Sequence, residues 1–264
     1  MSPEISPVQS EVANQAEVRL QAIVERSGLA EKYHAVAFAA LDHYQVNKLH
    51  HNQAHMFEVT EKVLDLFDEF GEIFDLTDED RHALTLAALW LDADYHLPPD
   101  EAYATKESRS AHAFFGKITQ KVEGGESWDT LLFAGKVASL VESTEPGRKV
   151  EYGTAAYLLN RADLNNLAGT REETALKSGK FFIEYLISQG KQATESAQLA
   201  LDDHSSQLKK WCIEARYSLN ELVTEKQLPR NTRTRIDTIA PQLVKEALKK
   251  MAQPTASETD DTKS

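Results

Sequence analysis

Residues 51–95 read HNQAHMFEVTEKVLDLFDEFGEIFDLTDEDRHALTLAALWLDADY, and the spacing of apolar residues in this stretch decides the fold. In its first half Met56, Val59, Val63, Leu66 and Phe70 recur three and four apart, the period that lines one side of an α-helix. In its second half Leu84, Ala87, Ala88, Leu91 and Tyr95 do the same. Between them Gly71 supplies a stop, and Asp78-Glu79-Asp80 supplies an acidic first turn that suits the positive end of a helix dipole.

The same period continues outward. No sustained two-residue alternation bounded by turn signals occurs, and Gly28, Pro98-Pro99, Gly124-Gly125, Pro146-Gly147, Gly169, Gly190 and Pro229 all fall between periodic segments. The pattern predicts an all-α protein with helices near 15–27, 30–46, 53–71, 78–95, 103–122, 129–143, 152–168, 171–189, 193–225 and 232–251. Residues 1–14 are expected to be a flexible N-terminus and 253–264 a disordered tail, since both are polar with little to bury. A single helical domain is expected over 15–252.

Composition narrows the function classes. With 29 basic and 42 acidic side chains the formal charge is -13, which opposes broad adhesion to nucleic acid or anionic lipid but leaves room for a local basic pocket. The lone Cys212 cannot form an intrachain disulfide, and it reads as a packing residue beside Trp211. The Met1 region lacks the basic flank and apolar run of a secretory signal, and no stretch approaches the roughly 18–20 apolar residues of a membrane span. The expected setting is a reducing cytoplasm.

The chemistry-bearing residues cluster on the same helices. His51 and His55 are four apart, a spacing that lets two imidazoles share one ion, while the plainer alternative is that Asn52 caps the helix and the histidines are surface residues. Asp92 stands one turn after Ala88 at the edge of an apolar face, and Asp163 stands on a later helix whose face carries Tyr152, Ala156, Leu159 and Leu167. A carboxylate in such a place needs a metal, a cation or helix-end amides as partner, because an unpaired buried charge costs several kcal/mol. An ion pair with Arg161, Arg109 or Lys180 is the plainer alternative for each.

These residues resemble the HD superfamily of metal-dependent phosphohydrolases, and within it the small bacterial branch with Tyr-His-Asn-x-x-His followed by Phe-His-Asp-Ala-x-Tyr. The first element corresponds to His50-His51-Asn52-Gln53-Ala54-His55 and the second to Ala87-Ala88-Leu89-Trp90-Leu91-Asp92-Ala93-Asp94-Tyr95. Lys106-Glu107-Ser108-Arg109-Ser110-Ala111 is similar to the branch's Asn-Glu-x-x-Ser-Ala segment, and Ala162 to Gly169 to its Ala-Asp-Leu-x-x-Leu-Gly segment, with Glu184-Tyr185 continuing it. The likeness covers about residues 45–185.

The resemblance implies an HD-like helical bundle with additional C-terminal helices, and a divalent metal (Mn, Fe, Ni, Co or Zn) that activates water against a phosphoester. Its ligands carry over to His55, Asp92 and Asp163, while the fourth position is Leu91, which cannot coordinate. His51 or His96 is the expected substitute ligand, and Asp92 and Glu107 are the expected catalytic carboxylates. Lys106 and Arg109 are the expected substrate contacts, with Arg148, Lys149 and Arg171 as further basic candidates. Two outcomes follow from the missing ligand. One is an inactive or impaired scaffold, a pseudoenzyme that binds a small phosphorylated ligand or a protein partner. The other is an active phosphohydrolase, acting on a nucleotide or another phosphoester through a rearranged metal site.

Overall fold

The computed structural model describes residues 7–44, 50–93, 105–123, 127–145, 148–164 and 184. Among them the regular structure is entirely helical. Seven α-helices follow in order: α1 Pro7–Ser27, α2 His34–Ala39, α3 Gln53–Phe70, α4 Asp78–Trp90, α5 Lys106–Lys121, α6 Trp128–Glu142 and α7 Ala155–Asp163. None of the described helices is long and apolar enough to cross a membrane.

The chain divides into two compact units, Met1–Asn47 with His51–Asp163, and Lys48–His50 with Leu164–Ser264. All seven helices belong to the first. Of the second unit His50, Leu164 and Glu184 are described, and the His50 backbone N–H donates to the buried Glu184 carboxylate at 2.8 Å. Apart from Glu184, the helices expected at 171–189, 193–225 and 232–251 lie outside the described residues, as does most of the single domain expected beyond residue 164.

Local chemistry sets the helix starts. Asn52 caps α3 by accepting the Ala54 and His55 N–H groups. Thr77 and Asp80 form a reciprocal capping box at α4, Thr105 and Ser108 do so at α5, and Ser127 caps α6. The expected acidic cap at Asp78-Glu79-Asp80 is therefore present, and Lys136 of α6 secures it by pairing with Glu79 and Asp80 at 2.8 and 2.9 Å. Gly28, at φ +64, ends α1 in the left-handed conformation that costs a glycine least.

Several expectations about helices change: α1 starts at Pro7, inside the segment expected to be a flexible N-terminus, and α4 ends at Trp90 instead of 95. The single helix expected over 30–46 is a 3-10 turn Glu31–Tyr33, then α2, then a second 3-10 turn Ala40–His43. Neither turn has a side-chain cap at its start, and the tighter winding lets terminal backbone groups bond locally instead. The helix expected from 152 starts at Ala155, so Tyr152 is 37% exposed rather than on a buried face, its ring against Phe74 and Tyr157.

The core gathers around α4, which packs against α1, α3, α5, α6 and α7. Every residue from Ala83 to Ala93 is buried. A helix buried on all sides needs small residues where its neighbours come close, and Ala83, Ala87, Ala88 and Ala93 supply them. Trp90 fills the middle of this packing, with its indole N–H donating to the Val36 carbonyl at 3.3 Å and its ring edge-on to Phe114. Trp90→Ala is expected to lower the unfolding free energy by about 3–5 kcal/mol in urea titrations. Val18→Ala, at a position 65% exposed, should change it by less than about 0.5 kcal/mol.

Candidate functional site

Three helix ends and one turn bring the site together, all within the first unit. The Asn52 cap places His55 in the first turn of α3 and leaves His51 just ahead of it. The plainer reading of this segment holds for the cap and fails for the histidines. Asn52 is a cap, and yet the histidines are 3% and 7% exposed rather than on the surface, with their rings edge-on at 5.9 Å.

Asp92 lies just past the end of α4. Leu91 keeps helical backbone angles, and the Ala93 N–H closes a turn on the Trp90 carbonyl at 3.1 Å. Two side chains hold that turn: the Tyr44 hydroxyl accepts the Asp92 N–H at 3.2 Å, and the Ser110 hydroxyl donates to the Ala93 carbonyl at 2.6 Å. Asp163 is the last residue of α7. The capping box of α5 sets Lys106 and Glu107 in that helix's first turn.

The side chains then converge. His55 Nε2 lies 3.5 Å from Asp92 Oδ2 and 3.4 Å from Asp163 Oδ1. On its other oxygen Asp92 accepts a hydrogen bond from Lys106 Nζ at 2.9 Å, with His51 Nε2 at 3.8 Å. Lys106 Nζ is also 3.5 Å from His51 Nε2 and 3.5 Å from Glu107 Oε1. The ion pair with a neighbouring basic residue, the plainer alternative for Asp92, thus exists, with Lys106 as its partner at 2.9 Å; Lys180 lies outside the described residues.

Burial sets the electrostatics. Asp92 is 1% exposed, and burial by itself would favour the neutral acid; the charges of Lys106, His51 and His55 outweigh it and hold the carboxyl well below its usual range. For His55 burial again opposes the charge, but Asp163 and Asp92 together raise its pKa to about 9. Glu107, 3% exposed, moves upward because of burial, against the pull of Lys106 and with help from Asp92 and Asp163.

His55, Asp92 and Asp163 each offer one donor atom, and these lie within 4.8 Å of one another. One imidazole nitrogen and two carboxylate oxygens are a chemically apt set for a divalent ion, whose bonds to such ligands run about 2.0–2.2 Å, so a modest closure would suffice. Asp92 Oδ2 is completely buried, and it faces His55 Nε2 at 3.5 Å. The donor set fits a metal with three protein ligands. Leu91, where a fourth ligand was missed, is wholly buried.

The other expected residues offer no donor to this group among the described residues. Arg109 is half-buried with its Nε unbonded among the described residues. Arg148 and Lys149 are exposed and line a different cavity, of about 370 Å³, with Lys136 and Ser139. His96, Arg171 and Cys212 lie outside the described residues. Tyr44 escaped the sequence reading, because a lone hydroxyl that meets one backbone group leaves no periodic trace, and Ser110 entered it only as a motif position without a role.

No family model and no curated protein sequence matches the chain. Solved structures do. The phosphodiesterase domain of the RhoPDE fusion protein from the choanoflagellate Salpingoeca rosetta aligns with a TM-score of 0.61 at 14% identity, over 94% of both chains. A second structure of the phosphodiesterase domain of Salpingoeca rosetta rhodopsin phosphodiesterase gives a TM-score of 0.58 at 15% identity, over 94% of this chain and 91% of that one. The fold is phosphodiesterase-like. At such identity the likeness concerns the fold alone.

The raised pKa of His55 has a consequence for stability. Its contribution is fully present below the ordinary value of 6.5 and is lost as pH rises through about 9. Metal-free protein should therefore unfold more readily at about pH 9.5 than at about pH 6, by an amount that shrinks in His55→Gln, when thermal melts are compared in chelator.

Proposed function

We propose that this chain is a degenerate HD-type phosphohydrolase, a scaffold that binds a small phosphorylated ligand at the His55, Asp92 and Asp163 group while hydrolysing it slowly or not at all. The observation that carries the reading is the convergence of three donors, beside a buried leucine at the position that the resemblance assigns to a fourth. Three ligands can hold an ion, but with one ligand fewer it is held more weakly and its position is less constrained.

When bound, a divalent ion at His55, Asp92 and Asp163 would lower the pKa of a water and neutralise phosphate oxygens. The chain's own groups have separate parts. Lys106 and Arg109, on the first turns of α5, offer positive charge to a phosphate on a molecule whose net charge of -13 would otherwise repel it. Glu107, with its raised pKa, holds a proton more readily than an exposed glutamate. His51 stays beside Asp92 as a further ligand or proton carrier. A nucleotide is the ligand class we favour, and a reducing cytoplasm the setting.

An active enzyme is the second reading. The convergence of His55, Asp92 and Asp163 favours it, since keeping Asp92 buried at 1% exposure beside two further metal-capable groups is costly in a dead site.

Metal content measured by elemental analysis separates the two. Purified native protein should carry well under one equivalent of Mn, Fe, Ni, Co or Zn and show little hydrolysis of bis(p-nitrophenyl) phosphate. Leu91→His, checked for folding by circular dichroism, should approach one equivalent and gain hydrolysis. Near-stoichiometric metal in the native protein, with hydrolysis that disappears in His55→Ala, would establish the active enzyme instead.

A further inference from the structure

Lys106 is an unusual residue for its position. It occupies the first position of α5, where the helix dipole is positive and a cation is disfavoured; Glu107, beside it, is the residue the dipole favours. The capping box of Thr105 and Ser108 fixes this turn on both sides of Lys106. The ammonium is nevertheless drawn inward, its side chain only 23% exposed, to the buried oxygen of Asp92 at 2.9 Å. Glu107 Oε1 and His51 Nε2, each at 3.5 Å, surround the same nitrogen. Holding a lysine against the dipole and out of water requires a strong counterpart, and the Asp92 carboxylate is that counterpart.

Asp92 is also the middle member of the metal-capable group. Its Oδ1 serves Lys106, and its Oδ2 faces His55 beside Asp163. One carboxylate therefore stands between a resident ammonium and the place a divalent ion would take, so the two cations share its charge and repel each other.

We infer that Lys106 is a tethered cation that competes with a divalent metal for Asp92 and keeps the metal-free state of the site charge-balanced. This deepens the degenerate reading above, and rests on it for the place of the metal: the chain has lost a neutral ligand at Leu91 and holds a fixed positive charge on the adjoining aspartate. Loss of the ligand alone leaves a weak site. The lysine makes the empty site stable as well. Lys106 acts on the metal through Asp92 and is a positioning residue.

The test is titration of metal-free full-length protein with MnCl2 by isothermal calorimetry, in the native and the Leu91→His backgrounds, each with Lys106→Gln and Lys106→Arg. Lys106→Gln should bind Mn2+ about 10- to 100-fold more tightly than its parent, the range typical of changes next to a metal's ligands. Lys106→Arg keeps the charge and should bind like its parent. In chelator Lys106→Gln should melt at a lower temperature than its parent, because Asp92 loses its nearest cation, and added MnCl2 should restore the difference.

Equal Mn2+ affinity in Lys106→Gln and its parent in both backgrounds overturns the inference, and so does an equal gain in Lys106→Arg, which would point to bulk instead of charge. Failure of the broader reading looks different. Native protein that already binds one equivalent of Mn2+ tightly contradicts degeneracy, yet the ratio of the Lys106→Gln constant to the parent's still decides the role of the lysine.

Discussion

The structure depends on the burial of one charge. Asp92 is 1% exposed at the end of a helix that five others enclose, and nothing in an apolar core tolerates an isolated carboxylate. Its surroundings are organised to meet that requirement. Tyr44 takes its backbone N–H, Lys106 takes one oxygen, and His51 and His55 stand within 4 Å of the two oxygens. Four separate segments meet at this point, and each has its own local reason for ending there: the Asn52 cap, the turn after Trp90, the Thr105 cap and the end of α7.

Leu91 and Asp92 are neighbours with opposite demands. The leucine belongs to the apolar shell of α4 and is satisfied by packing; the aspartate is satisfied only by charge. A histidine at 91 would have placed a second polar group in this shell, and the chain has hydrocarbon there instead. In the same site a lysine has come to rest on Asp92. The two features set an apolar residue and a tethered ammonium on either side of one buried carboxylate, which is what the proposed reading of a weakened metal centre rests on.

Sequence comparison and structural comparison give different answers for a physical reason. At 14–15% identity the phosphodiesterase domains share few residue identities with this chain, yet the alignments reach TM-scores of 0.61 and 0.58. Helix packing constrains the pattern of apolar and small residues far more than their identities. The residues that carry chemistry are few and contribute little to any overall score, so a site can be retained, altered or lost within one fold.

What the sequence determined by itself was the class of each segment. The apolar period along Met56 to Phe70 and Leu84 to Leu91 sufficed for helices, and the caps at Asn52 and Thr77 are local bonds within a few residues. The order of motifs singled out His55, Asp92 and Asp163 before any coordinates. Tertiary structure alone decided the rest. That Asp92 is enclosed, not at the edge of a face, follows from α3, α5, α6 and α7 closing around α4, which no helical wheel contains. That Lys106 meets Asp92, 14 residues away, instead of facing solvent follows from the packing of α5. Periodicity reports which side of a helix is apolar; which charged groups must share a buried volume depends on distances between segments, and those exist only once the helices have packed.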